Sequence, residues 1–380
     1  MRRKIFTPDH DTFRATVRAF LEKEAKPHAA QWEADGQANR EVWKRAGELG
    51  LLGWEVPEEF GGLGIRDFRF NAILAEEIVA SGTSGLGFAV NNDIVMPYMT
   101  DLTTDEQKAR WLPGMVDGSI ITAIAMSEPG AGSDLRSIRS SAVREGDDWI
   151  LNGSKTFISN GQLANLVIVV CKTDPSAGHK GISLLVVEEG MDGFTRGRKL
   201  DKIGAKAADT SELFFENVRV PADNVLGELG RGFYNLMRNI PSERLGIAVH
   251  GVARAKRALE ITLDYAKTRE AFGTPIGSFQ ANRFYIAEMK AKVDVAQVFL
   301  DRCIEDLIAG ELTAVDAAEA KMWITETEWE ILDRCLQLHG GYGYVNEYEI
   351  ARLWRDSRVQ RVYGGTNEIM KDLIGRSLGL

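Results

Sequence analysis

Three short segments hold the residues of this chain best placed to do chemistry. The first, Ala125-Met126-Ser127-Glu128-Pro129-Gly130-Ala131-Gly132-Ser133-Asp134, ends a β-prone run in small residues. Without bulky side chains, its backbone N–H groups can come close to a ligand, and Ser127 and Ser133 add hydroxyl donors. By spacing alone it is equally a structural turn. The second, Gly153-Ser154-Lys155-Thr156-Phe157-Ile158-Ser159-Asn160-Gly161, sets an aromatic ring among hydroxyls. Neither is a dinucleotide fingerprint, because no GxGxxG opens a helix, and Gly340-Gly341-Tyr342-Gly343 follows a helical stretch instead of a strand. The third is Ser242-Glu243-Arg244-Leu245, a carboxylate beside a guanidinium. Its plain reading is a helix opened by Pro241 and Ser242 with an acid in the first turn, where the helix dipole favours one.

Metal and thiol chemistry find little support. Cys171, Cys303 and Cys335 are far apart and form no CxxC pair, and His10, His28, His179, His250 and His339 make no HExxH-type spacing. Buried free thiols in a reducing compartment are the expectation. A net charge of −9, from 46 basic and 55 acidic residues, argues against a nucleic-acid partner, whose phosphates require clustered Lys and Arg. No apolar run approaches the ~18 residues of a spanning helix. The opening Met1-Arg2-Arg3-Lys4 is basic, but Asp9 and Asp11 follow without an apolar h-region, so a cytoplasmic protein is expected.

The elements that must hold these segments fall into three regions. Residues 1–120 show helical spacing: Phe13, Val17, Phe20 and Leu21 share one face of a helix starting near Asp9, and 41–49, 71–80 and 106–115 follow as helices. A Gly-rich loop lies between them at 56–64. Residues 121–230 change period, with β-rich runs at 120–126, 140–144, 149–151, 166–171, 182–187 and 213–220. No long helix separates these runs, so they are expected to pair mainly as antiparallel hairpins in a small barrel or sandwich. Residues 231–380 return to helix. There Ile286, Met289, Val293, Ala296, Leu300, Cys303 and Leu307 form a packing seam, and Met322, Trp329, Leu332 and Leu336 a looser stripe. The fold class is therefore α+β: an N-terminal helical domain, a middle antiparallel β domain and a C-terminal helical bundle.

Taken together and in order, these segments resemble the acyl-CoA dehydrogenase family, and the likeness runs over essentially the whole chain. It includes the 56–64 loop, Trp111-Leu112-Pro113, Arg269-Glu270-Ala271-Phe272-Gly273, Gln280, Gln337-Leu338-His339-Gly340-Gly341 and Tyr363-Gly364-Gly365-Thr366-Asn367-Glu368-Ile369-Met370. The resemblance implies an FAD enzyme. Ile124, Ala125, Met126, Ser127, Gly132 and Ser133 would line the flavin and the start of the substrate channel. Phe157, where Trp is common, would pack on the ring, flanked by Ile158, and Ser159, where Thr is usual, would reach its reactive edge. Arg269, Phe272 and Gln280 would hold the pyrophosphate and adenosine. Gln337, Gly340, Gly341, Thr366 and Glu368 would add contacts, partly from a neighbouring subunit, which makes a homotetramer the family expectation.

One family residue is missing. Many members carry a Glu directly after the Tyr of the C-terminal loop, where it removes the proton α to the thioester; here that slot is Gly364. In the isovaleryl-CoA and long-chain branches the base instead precedes an Arg on a central helix, and Glu243 precedes Arg244 in the matching place. The resemblance thus makes Glu243 the base, with its pKa raised by desolvation, and gives the Gly364 N–H the thioester carbonyl. Ser133, Ser242, Arg244 and Gly365 would contact the acyl-CoA. The β-hydride would pass to flavin N5, giving a trans-2-enoyl-CoA from a long-chain or branched acyl group, with electrons leaving to an electron-transfer flavoprotein. Two readings compete: a flavin monooxygenase of the same fold, against which Glu243 counts, and a dehydrogenase of carrier-protein-bound acyl groups. A colourless, non-catalytic binding protein is disfavoured by the intact flavin motifs.

Overall fold

The computed structural model describes residues 3–380. Met1 and Arg2, the start of the basic run weighed above as a targeting signal, lie outside the described residues. Helices α1 (Pro8–Phe20), α2 (Ala29–Asp35), α3 (Arg40–Glu48), α4 (Phe68–Ser81), α5 (Met96–Leu102) and α6 (Asp105–Val116) build the first region. Their starts follow local rules. Pro8 opens α1 with Asp9 and Asp11 in its first turn, and the Asn39 side chain accepts from the Val42 N–H at the head of α3. Val17, Phe20 and Leu21 are buried as their spacing requires, packed with Trp43, Trp54 and Phe88. Just before α5 the helix widens into a π turn over Val90–Val95.

The middle region is one seven-stranded sheet: β1 (Thr122–Ala125), β2 (Ser141–Glu145), β3 (Asp148–Ser159), β4 (Leu166–Lys172), β5 (Ile182–Glu188), β6 (Phe194–Lys199) and β7 (Thr210–Pro221). Strand order is β1-β4-β2-β3-β7-β6, with β5 pairing β4. Most pairs are antiparallel, as expected, but β1 runs parallel to β4, with Thr122 opposite Leu166. Strands β4 and β5 are apolar on both faces because both are covered. Leu166, Ile168 and Val170 face Met96, Tyr98 and Trp111 of the helical region. Val167, Val169 and Cys171 meet Leu151, Leu213 and Phe215, which β3 and β7 bring over them as the sheet curls.

Two strands depart from the sequence reading. The run at 149–151 is the head of a 12-residue strand, and β6 was not anticipated at all. Phe194-Thr195-Arg196-Gly197-Arg198-Lys199 is charged and lies at the sheet edge, where strands stay polar and lose the apolar alternation.

The C-terminal bundle comprises α7 (Gly232–Thr268), α8 (Gln280–Ala309), α9 (Ala314–His339), α10 (Glu349–Ser357) and α11 (Asn367–Ser377). A two-stranded hairpin, β8 (Glu270–Ala271) and β9 (Thr274–Pro275), joins α7 to α8. The seam on α8 is buried as expected at Met289, Val293, Ala296, Leu300 and Cys303. On α9 the buried stripe is Ile324, Ile331, Leu332 and Cys335, with Met322 and Trp329 partly exposed. All three cysteines are buried free thiols. Among the described residues no helix is long and apolar enough to cross a membrane.

A further correction concerns α7. Pro241 and Ser242 do not open a helix: α7 begins at Gly232 and runs 37 residues with Pro241 inside it. Proline removes one backbone N–H there, and the Ser242 hydroxyl donates to the Asn239 carbonyl at 2.8 Å. Glu243 is therefore well inside a helix, beyond the reach of the dipole at its N-terminus, so capping does not explain it.

Candidate active site

Strands β1 and β3 bring the first two segments together. The Thr156 N–H donates to the Ser127 carbonyl at 3.0 Å, so the loop after β1 and the end of β3 form one surface. Beneath it lies Lys155, fully buried within the sheet, whose ammonium donates to Glu128 Oε1 at 2.8 Å, Val170 O at 2.7 Å and Met126 O at 3.1 Å. Glu128 also accepts the Arg139 and Ser140 N–H groups, at 2.6 and 3.0 Å. Burial alone would raise this carboxyl, but Lys155 and those N–H groups hold it below the usual carboxylate range. The ion pair thus staples the two ends of the loop to the sheet.

At the end of β3 the register with β7 slips between Lys155 and Ile158. The irregularity puts Phe157 at φ +61°, a conformation bulky residues rarely adopt, and turns its ring out to 69% exposure. Ser159 is exposed beside it, whereas the Ile158 side chain points into the sheet core. Ala125 is likewise buried, so Ala125 and Ile158 can offer a ligand only their backbones. Gly132 and Ser133 are exposed, and a Cβ added at Gly130 or Gly132 would meet nothing within 4 Å. An exposed ring under strain beside bare backbone is a surface shaped for a flat ligand.

The remaining predicted cofactor residues lie in the bundle. Arg269, Gln337, Gly340 and Gly341 line one cavity of about 670 Å³ with Tyr265 and Tyr342. The Arg269 guanidinium lies 5.7 Å from the Tyr342 ring centre. No residue of the middle region lines this cavity. Phe272 lies outside it, at the tip of the β8–β9 hairpin, at φ +54° and 98% exposed, and Gln280 is exposed at the start of α8. Thr366 caps α11, its hydroxyl accepting from the Ile369 N–H at 3.3 Å, and Glu368 is exposed in the first turn.

The C-terminal loop meets α7 at Gly364, one helical turn from Glu243. Gly364 has φ +65°, and a Cβ built there would lie 2.4 Å from Ile247 Cδ1, one helical turn beyond Glu243. The slot left by the glycine is thus filled from α7, by Ile247. Glu243 lies deep in the protein yet keeps some accessible surface, as a residue lining a cleft does. Burial pushes its carboxyl up to about 7, against a hydrogen bond from the Tyr98 hydroxyl at 3.0 Å and the neighbouring Arg244 charge.

The loop is held from behind by two buried cations. Arg244 Nε donates to the Gly364 carbonyl at 3.3 Å, and Lys321 donates to the Gly365 carbonyl and Asn367 Oδ1, each at 2.8 Å. Arg244 is thus a buried support for the loop, and the Gly365 carbonyl and the Ser242 hydroxyl proton are likewise engaged within the protein. Sequence reading missed Tyr98, Lys321 and the Lys155–Glu128 pair. Tyr98 sits in an apolar run that looks like plain core, but a lysine inside the β-prone 149–159 stretch was a usable signal, since buried lysines need partners.

Comparison with known proteins identifies the family. The chain matches the Acyl-CoA dehydrogenase N-terminal domain over residues 7–119, the middle domain over 123–218 and the C-terminal domain over 230–379. It belongs to the acyl-CoA dehydrogenase family, whose members depend on FAD. Among its relatives, the mitochondrial long-chain specific acyl-CoA dehydrogenase of Sus scrofa is 48% identical, over 99% of this chain and 88% of that protein. The mitochondrial isovaleryl-CoA dehydrogenase of Solanum tuberosum is 37% identical, over 98% and 91%. The crystal structure of an acyl-CoA dehydrogenase from Geobacillus kaustophilus superposes with a TM-score of 0.98 at 48% identity, covering all of both chains.

Proposed function

We propose that this acyl-CoA dehydrogenase oxidises a long-chain or branched acyl-CoA to the trans-2-enoyl-CoA with Glu243 as the base. One observation carries this reading: a carboxylate raised to about 7 sits one helical turn from the residue that fills the Gly364 slot. An α-proton of a thioester is too weakly acidic for a carboxylate in water. A desolvated Glu243 is a stronger base, and the Gly364 N–H, on a loop anchored by Arg244 and Lys321, would hydrogen-bond the thioester carbonyl as charge develops. FAD, when bound, supplies the acceptor for the β-carbon hydride. Phe157, Ser159, Ser127, Gly132 and Ser133 would hold its ring. Arg269, Gln337, Gly340 and Gly341 would hold its nucleotide end.

The separation of these two groups supports sharing between subunits. Within one chain the nucleotide cavity contains no residue of the middle region, and the exposed Phe272 finger projects beyond its own fold. A homotetramer with FAD held between copies is the arrangement we propose, passing electrons to an electron-transfer flavoprotein. The buried free thiols are compatible with a cytoplasmic site.

The test is anaerobic flavin bleaching with a panel of short, long and branched acyl-CoA esters. Glu243→Gln should retain FAD and lose reduction by several orders of magnitude; near-normal bleaching would refute the assignment. A wild-type enzyme that no acyl-CoA bleaches would refute the reaction itself.

A further inference from the structure

We propose that Tyr98 is the positioning residue of this site: from the buried end of α5 it holds one oxygen of Glu243 and leaves the other for the α-proton. The inference rests on the reading of Glu243 as the base.

The tyrosine has no exposed surface, and its ring packs among Val56, Val95, Met96, Met99 and Trp111. A phenylalanine would fill that apolar site equally well, so the hydroxyl requires its own explanation. Its partner is Glu243 Oε1, at 3.0 Å. A buried hydroxyl without a partner is costly, so the bond restrains both groups. Burial, and then the Glu243 charge, hold the phenol well above its ordinary pKa, so it remains a donor throughout the working range.

The route by which Tyr98 reaches Glu243 is built into the helix. The π turn over Val90–Val95 inserts an extra residue ahead of α5, which rotates the side chains of α5 by about 100° around the axis. Buried amides seat this turn: Asn92 bonds the Leu51 carbonyl and the Gly53 N–H, and Asn91 accepts from Thr122 Oγ1. Asp93 from the same turn takes a hydrogen bond from Asn71 and lies against Gly246 of α7, where an added Cβ would be 3.4 Å from its Oδ2. A wide turn packed with side-chain amides thus abuts α7 beside the base and aims Tyr98 at it.

A hydrogen bond to a carboxylate favours its charged form, which opposes the desolvation that would keep Glu243 protonated. The charged and titratable groups around the pair are Arg244 and Arg238 on α7, Asp93 on the π turn, and Glu55 beyond it beside Thr100. Asp93 and Glu55 are themselves pushed to about 7, so the wild-type pH profile is a composite, and the comparison that isolates Tyr98 is between variants.

The experiment follows anaerobic flavin reduction by an acyl-CoA, by stopped flow from pH 5.5 to 9, on FAD-loaded enzyme. In Tyr98→Phe the acidic limb should move up by about one pH unit, with the rate at pH 7 reduced about five- to tenfold and KM little changed. Replacing Tyr98 with 3,5-difluorotyrosine keeps the ring and makes the phenol a stronger donor, so the limb should move down. A limb that stays at the wild-type position in Tyr98→Phe, or a rate loss equal at every pH, overturns the proposal. If Tyr98→Phe fails to hold FAD, the difluorotyrosine enzyme decides alone, and an unmoved limb there overturns it. Loss of reduction in Glu243→Gln together with an unmoved Tyr98→Phe limb removes Tyr98 and keeps the base. Reduction surviving in Glu243→Gln removes the base itself.

Discussion

Gly364 combines two constraints that no other residue type meets together. Its φ of +65° lies in the left-handed region, and its missing side chain leaves room for Ile247 Cδ1 at 2.4 Å from a built Cβ. Gly364→Ala should therefore destabilise the protein by about 1–2 kcal/mol from the backbone alone, with the steric clash in addition. Chemical denaturation of Gly364→Ala with and without Ile247→Ala separates the two: the second change should recover the steric part and leave the backbone part. That Gly364 replaces a carboxylate was legible in the sequence once the loop motif was seen. That Glu243 stands in for that carboxylate was implied only by the resemblance, because the two lie 121 positions apart and no local pattern relates them. Tyr98 was not legible, since a buried tyrosine on an apolar helix looks the same whether or not its hydroxyl is used.

At the scale of elements, the surface proposed to face the flavin depends on the loop between β1 and β2 being held to β3. Lys155 and Glu128 do this from below, with side-chain exposures of 0% and 6%. Removing one member of a buried pair strands the other, so Lys155→Met should cost about 3–5 kcal/mol. The loop carrying Ser127 and Ser133 would lose its anchor, and purified Lys155→Met should show a lower ratio of flavin to protein absorbance than wild type. An unchanged ratio would mean that the pair serves the sheet and not the site. Helices α1, α3 and α6 were read well because their starts are local: Pro8, Asn39 and Thr104 announce them within one turn. The uncapped start of α7 and the short α2 and α5 were not. Strands were read less well. The length of β3 is set by its partner β7, and edge strand β6 by lying next to β7, which are both long-range facts.

Across the whole molecule, several acids are desolvated, each in its own surroundings. Burial pushes Glu55, Asp93 and Glu243 to about 7 and Glu328 to about 8. A carboxyl raised in the folded state favours folding while protonated, and that contribution declines from its unfolded value, near pH 4, until the folded pKa is passed. Asp67, Glu77 and Glu128 are shifted the other way by their Arg and Lys partners, so their contribution is lost as pH falls below about 4. From these carboxyls the melting temperature should peak near pH 4–5 and fall as pH rises to about 8. Scanning calorimetry of Glu328→Gln should show a shallower fall between pH 6 and 8. A melting curve that rises through that interval would contradict the assigned environments.

The sequence by itself determined what depends on neighbours along the chain: the capped helix starts, the apolar seam of α8, the three-region order and the small-residue segments. It also carried the family, because many weak motifs in order leave little room for coincidence. Tertiary structure alone decided that Tyr98 reaches Glu243. Packing brings Tyr98 of α5 to Glu243 of mid-α7 and seats Gly364 of the last loop against Ile247 one turn further on, and desolvation pushes the Glu243 carboxyl up to about 7. Proximity and dielectric are properties of the packed chain, and no spacing of residues encodes them.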